Sequence, residues 1–295
     1  MNQVRLDIQR REPFAGGASF GDTGPYERLL GKAHFAIDPE EDGLPYIVDL
    51  ELAPRNAEGL VEFSGTLDIV KPVDAAKGNR RLLYEFSNRG GRGAITGFNY
   101  GRGTDMTSPD YAGDGFLMRQ GYTVMWSGWQ GDLIDQGTNV VAYLPFAQQD
   151  GKPLRGQVRQ EFGTVEAGIL SLGVSAGAEG GVNVQPYPVL DRATATLTMR
   201  EHEADPRVAL PDSDWELAKA ELKDGHVALT PSDEHLHVRG GFKPGWIYEF
   251  IYETEGSRVM NLGFLGIRDL VSFVRHAGAD AAGNANPLTG RIDKV

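Results

Sequence analysis

Arg81-Leu82-Leu83-Tyr84-Glu85-Phe86-Ser87-Asn88-Arg89-Gly90-Gly91-Arg92-Gly93 opens the stretch on which the fold reading turns. Tyr122-Thr123-Val124-Met125-Trp126-Ser127-Gly128-Trp129 closes it. Two short apolar runs, each passing into a glycine-bearing turn, are joined by a segment of roughly helix length. That order reads as a β–loop–α–β unit of a parallel sheet. In such sheets the chemistry gathers outside the carboxyl ends of the strands, and both glycine-bearing turns fall there. A helix is predicted from Pro109-Asp110-Tyr111 to Phe116-Leu117-Met118-Arg119-Gln120, with Gly121 just past its end.

Working outward, residues 1–75 read as an N-terminal β region. Val61, Phe63, Leu67 and Ile69 alternate with Glu62, Ser64, Thr66 and Asp68, the period of a strand with one wet face. Ile47 to Leu52 alternates in the same way, the stretch from Ala53 to Gly59 supplies turn residues, and Gly31 to Ile37 is a further strand. Residues 76–131 form the first part of the core. Residues 132–245 read as a β-rich insertion, with strands at Val158 to Phe162, Ala193 to Met199 and His235 to Val238, and one helix at Asp214 to Ala220. Residues 246–295 return to the core through a strand at Trp246 to Tyr252 and a helix at Asn261 to His276. In that helix Asn261 is the N-cap, and Phe264, Ile267, Leu270, Val271 and Val274 make the apolar face. Arg291 to Val295 then begins another strand.

The chain has 295 residues, 40 % of them hydrophobic and 24 % charged, with a net charge of −12. That charge disfavours nucleic acid and anionic membrane surfaces, because binding phosphates needs clustered Lys and Arg. With no cysteine, disulfides, thiolate nucleophiles and Cys-based zinc sites are excluded. Met1 to Asp7 lacks the apolar core of a signal peptide, and no run approaches the ~18 apolar residues of a membrane span. The expectation is a soluble, cytoplasmic protein, with export of a longer precursor left open.

Four features carry potential chemistry. The run Asn88 to Gly103 holds six glycines with Arg89, Arg92 and Arg102. Its backbone N–H groups suit an anion cradle or an oxyanion hole, or else it is a mobile surface loop. It matches neither nucleotide-binding glycine pattern, so no cofactor is expected. Trp126 and Trp129 either line an organic pocket or belong to the core. Gly173-Val174-Ser175-Ala176-Gly177 spells G-x-S-x-G, which makes Ser175 a candidate nucleophile. The following Ala178 to Pro186 cannot supply the ordinary helix that such an elbow requires. His235 and His237 put two imidazoles on one face of a strand beside Asp233 and Glu234. They are candidate metal ligands without a placed third partner, against the plainer reading of a polar strand face.

Several phrases together resemble a bacterial family of α/β-hydrolase domain proteins. They are Glu12 to Gly17, Gly24-Pro25-Tyr26-Glu27, Asp49 to Asn56, Tyr84 to Gly90, Gly121 to Trp129, and Ile267 to Phe273. The resemblance runs from residue 4 to the end, although none of these phrases is a catalytic motif. It implies an α/β fold: a partial α/β-hydrolase sheet with an N-terminal β region and a β-rich insertion. Leu82 to Phe86 would be the strand before the oxyanion loop and Asn88 to Arg92 part of that loop. Tyr122 to Trp126 would be the next strand, Asn261 to His276 the following helix, and Arg291 to Val295 the start of the strand leading to the nucleophile. The family's nucleophile elbow, acid and histidine would all fall beyond residue 295.

The resulting expectation is the N-terminal portion of a serine-type hydrolase of carboxylic esters or lactones, inactive without a C-terminal half or a second polypeptide that completes the sheet. Asn88, Arg89, Gly90, Gly91, Arg92 and Trp129 are expected at the oxyanion and substrate side. The alternatives are a non-catalytic module binding a ligand such as a carbohydrate, a hydrolase using Ser175 with one of His202, His226, His235 or His237, and a metal-dependent enzyme built on His235 and His237.

Overall fold

A computed structural model describes residues 3–41, 44, 46–164, 166–174 and 184–295. The chain divides into two units: Met1–Pro145 with Arg258–Val295, and Phe146–Ser257. The second unit begins and ends later than the expected insertion, 132–245. The strand at Trp246 to Tyr252 lies inside it.

The first unit is built on a sheet of seven strands. They are β1 (Gln3–Pro13), β2 (Ser19–Phe20), β3 (Gly24–Ile37), β4 (Val61–Pro72), β5 (Leu82–Tyr84), β6 (Thr123–Ser127) and β7 (Ala142–Tyr143). The order is β1-β3-β4-β6-β5, with β2 on β3 and β7 on β4. In β4 the expected alternation holds. Val61, Phe63, Leu67 and Ile69 are buried, while Glu62, Ser64 and Thr66 face the wetter side. From Asp68 onward both faces are covered. Three short helices, α1 (Ala94–Asn99), α2 (Pro109–Ala112) and α3 (Phe116–Arg119), follow β5. Ile95, Met106, Tyr111, Leu117 and Met118 from this segment pack with Tyr26, Val70, Val124 and Trp126. The fourth helix, α4 (Leu262–His276), reaches the stacked rings of Phe35 and Phe63, whose centroids are 4.8 Å apart. A side chain on Gly266 would come within 2.9 Å of Phe63, so glycine sets this approach.

The expected α/β architecture, a partial α/β-hydrolase sheet, is corrected by these observations. The described residues are rich in strand, and of four α-helices only α4 exceeds six residues. Within the first sheet every strand pairing is antiparallel except β5 with β6. Glycine explains why the connection between those two forms three short helices and not one continuous crossover helix. A Cβ on Gly101 would lie 2.0 Å from Tyr111 O, and one on Gly113 would lie 2.1 Å from Asn99 O. The chain passes itself too closely there for a continuous helix, and the single helix expected at 109–120 breaks into α2 and α3.

Local corrections follow the same logic. Ile47 to Leu52 is not a strand but ends in a 3₁₀ turn, Leu50–Leu52, after Asp49 in the left-handed region at φ 61°. Asn261 stands at the N-cap of α4, yet its side chain makes no capping hydrogen bond. Phe264 is not on the buried face of α4; Leu262, Leu265, Ile267, Leu270, Phe273 and Val274 are. The expected strand at Arg291 to Val295 is one isolated parallel bridge, Arg81 to Lys294.

The second unit carries β8 (Gln148–Gln149), β9 (Lys152–Pro153), β10 (Arg155–Gly163), β11 (Ser171–Gly173), β12 (Thr196–Arg200), β13 (Val208–Ala209), β14 (Trp215–Lys223), β15 (His226–Val238) and β16 (Ile247–Glu255). They form the sheets β10-β16-β12-β13 and β11-β15-β14 and the hairpin β8-β9. Trp215, Leu236, Tyr248, Phe250 and Tyr252 centre its core. The helix expected at Asp214 to Ala220 is instead β14. A register shift between Leu217 and Ala218 turns Trp215 and Ala218 to the buried side. The bulge thus gives a strand the three-residue spacing of a helix.

Candidate functional site

Because β5 and β6 run parallel, their carboxyl ends lie side by side. The Tyr84 hydroxyl is 2.8 Å from Ser127 Oγ. Burial pushes that phenol up to about 12, so it stays protonated and cannot serve as a base at neutral pH. Glu85 turns away from this pair. Its carboxylate accepts the N–H groups of Gly93 (3.0 Å) and Ala94 (2.8 Å) and the indole N–H of Trp126. One glutamate thus ties the end of β5 to α1 and to the β6 tryptophan.

Beyond these anchors four rings meet. Tyr84 contacts Phe86 edge-on at 5.4 Å, Phe86 lies 6.4 Å from Trp129, and Trp129 lies 4.9 Å from Phe264. Phe86 is 57 % exposed and Phe264 51 %. Trp129 is fixed by its indole N–H, which donates to Ser87 O at 2.8 Å. Phe264 is fixed by the residue before it, since a Cβ on Gly263 would lie 1.9 Å from Trp129 O. The first turn of α4 therefore rests directly on the backbone of Trp129. Ser87, beneath the rings, is 0 % exposed, and its hydroxyl has no hydrogen-bond partner among the described residues.

The glycine-rich loop is stiffened by its own bonds. The Arg89 N–H donates to Gln130 Oε1 (2.8 Å), and the Gly91 N–H donates to Asn88 O (3.0 Å). Gly90 O accepts from the Val140 N–H at 3.0 Å. At Gly90 φ is +75°, and a Cβ would lie 2.7 Å from Val140 O, so glycine is required there. The Arg89 guanidinium pairs with Asp132 at 3.4 Å. Asn88 is exposed at the loop's start.

Arg92 points inward. Its Nη1 donates to Thr138 O (2.7 Å), and its Nε lies 2.9 Å from Asp68 Oδ2 without hydrogen-bond alignment. Asp68 is 1 % exposed and also takes two bonds from Arg28, Nε to Oδ1 at 2.9 Å and Nη2 to Oδ2 at 2.7 Å. Burial pulls the Arg92 guanidinium below its ordinary value, against the pull of Asp68. Burial acts the same way on Arg28, but Asp68 and Glu12 outweigh it and hold that guanidinium above its ordinary value. Arg92 is therefore a brace between the loop and β4, and the exposed part of the loop is its start at Asn88 and Arg89.

His235 and His237 do not join this group. Ser175 lies outside the described residues. His237 is 7 % exposed, and its Nδ1–H donates to Leu170 O at 2.7 Å. His235 Nδ1 is 3.0 Å from Ser232 Oγ, a local contact in which the same hydroxyl accepts from the Glu234 N–H at 3.2 Å. Among the described residues no three His, Cys, Asp or Glu side chains cluster as metal ligands. No described helix is long and apolar enough to cross a membrane.

Three ledge residues, Tyr84, Phe86 and Phe264, were not singled out as site residues from the sequence. Phe86 carried a signal, an aromatic placed just past a strand end. Phe264 carried none, because it shares helical spacing with core positions. No protein-family model, curated protein or solved structure matches the chain.

Proposed function

We propose that the first unit supplies the substrate-binding side of a serine-type hydrolase acting on carboxylic esters or lactones. The aromatic ledge of Tyr84, Phe86, Trp129 and Phe264 is the observation that carries this reading. Rings drawn from three separate segments, exposed at Phe86 and Phe264 and partly buried at Tyr84 and Trp129, bind the apolar acyl or ring portion of such a substrate. With the Arg89 and Gly91 N–H groups engaged within the loop, the donor offered to a substrate carbonyl oxygen would be the backbone N–H of the exposed Asn88. Among the described residues no serine is held by a histidine that a carboxylate orients, and on this reading the nucleophile and its base are supplied from outside this chain. This chain alone is then expected to bind but not to turn over.

Two measurements test the two halves of the proposal. Titrating the purified chain with δ-decalactone should change tryptophan fluorescence saturably, with affinity about tenfold weaker in Phe264→Ala, the loss of roughly 1.4 kcal/mol. No saturable change, or equal affinity in that variant, sinks the binding claim. Treatment with a fluorophosphonate should leave the chain unlabelled; stoichiometric labelling at Ser175 would overturn the claim that the nucleophile lies elsewhere.

A further inference from the structure

The wet face of the first sheet carries a hollow lined by none of the ledge residues. Its volume is about 440 Å³, within the size range of small-molecule sites. Register places its side chains. Arg5 pairs with His34 across β1 and β3, His34 with Ser64 across β3 and β4, and Ser64 with Tyr143 across β4 and β7. The next row is Gln3, Ala36 and Glu62. Ala36, with only a methyl group between two long polar side chains, makes the floor.

Side chains on a solvated sheet face commonly pair with lateral neighbours. Among the described residues Arg5, His34 and Ser64 make no side-chain hydrogen bond or ion pair. Arg5 and Glu62 sit on strands separated by β3, about two strand spacings or ~10 Å apart across the sheet. They do not pair with each other; Glu62 Oε1 instead accepts from the Asn56 side-chain amide at 2.9 Å. Tyr143 is oriented by its hydroxyl on Asp135 and by Lys32 Nζ 4.3 Å above its ring.

The charges select the ligand. Arg5 and Lys32 stand among Asp7, Glu62 and Asp135, so an anion gains no net attraction, while the two cationic side chains oppose a second cation. Burial, with Arg5 and Lys32 adding to it, lowers His34, which leaves one ring nitrogen donating and the other accepting near neutrality. A guanidinium, a carboxylate, an amide, a neutral imidazole and a hydroxyl around a methyl floor match vicinal hydroxyl groups on a carbon ring. We infer that this hollow, formed by Gln3, Arg5, His34, Glu62, Ser64 and Tyr143, is a binding site for a neutral saccharide. The inference does not depend on the hydrolase reading.

The test is NMR titration of the purified full chain with maltotriose, cellotriose and chitotriose. At least one should give saturable shifts at the His34 ring and the Ser64 and Tyr143 amides. Arg5→Gln and Glu62→Gln, both at exposed positions, should each weaken binding about tenfold while the remaining amide spectrum stays unchanged. No saturable shift with any of the three at about 10 mM, well above millimolar affinity, overturns the site. So do shifts centred on the Trp129 indole, or wild-type affinity in both variants.

Discussion

Asp68 faces two guanidiniums from inside the first unit, and through Arg92 it braces one side of the glycine-rich loop. Removing one partner of a buried ion pair typically costs about 3–5 kcal/mol, because the other charge is left uncompensated. Asp68→Ala is expected to destabilise by that amount, read as a lower urea midpoint in tryptophan fluorescence. Ser87 predicts the opposite sense. Its buried hydroxyl has no partner, so Ser87→Ala should leave stability unchanged or raise it by about 1 kcal/mol. Asp280 gives a pH signature. Burial pushes its pKa up, but bonds from the Asn284 side chain and from the Leu6, Asn284 and Ala282 N–H groups outweigh this and hold it below the ordinary carboxylate value. A depressed folded-state value adds stability above the ordinary carboxylate range, lost as pH falls through the folded value. Asp280→Asn should therefore destabilise at pH 7, and the gap to wild type should close in strong acid. An equal gap at both ends would refute this account. At this scale the sequence was half legible. The alternation of β4 was read correctly, but it assigned Asp68 to water, and only the distant Arg92 and the Arg28 beside it show why that face is dry.

Elements were legible where one period ran without interruption. The extent of β4 and of α4 followed from periods of two and of about three and a half. Two failures have physical causes. The bulge between Leu217 and Ala218 gave β14 the burial spacing of a helix. Close backbone crossings at Gly101 and Gly113 broke the expected helix after β5, and spacing along the chain does not reveal such crossings. The ledge was legible only in part, since Trp129 could be named from its place after a strand while Phe264 is presented by α4. That presentation rests on one contact. Gly263→Ala would drive a Cβ against Trp129 O, shift the first turn of α4 and separate the two rings. Ligand-induced fluorescence change should fall while the far-ultraviolet circular dichroism of the fold persists. Deep in the same helix, Leu270→Ala should cost about 2–5 kcal/mol in urea unfolding.

Across the whole molecule, the sequence signalled a β-rich inserted segment before the final helix. It did not signal that β outweighs α throughout, because the short parallel pair β5–β6 stood out more than the long antiparallel strands around it. The second unit closes on itself: the Ala147 N–H donates to Ser257 O at 2.8 Å, and the Leu154 O accepts from Gly256. In the first unit, the Val259 N–H donates to Pro145 O at 3.1 Å. With adjacent ends and a core of its own, Phe146–Ser257 is expected to fold when expressed alone. A cooperative thermal transition with near-ultraviolet dichroism from Trp215 would confirm it, and a featureless spectrum would refute it.

The turn joining β14 to β15 has a practical consequence. Asp224 and Gly225 both take positive φ, 51° and 79°, as a two-residue hairpin loop requires. Beyond the bulge, Leu222, Val227 and Leu229 stand exposed on the ribbon. New chain termini opened between Asp224 and Gly225 would cut no buried strand and disturb no core residue. That turn is where the polypeptide can be circularly permuted, or a reporter domain inserted, with both units left to fold.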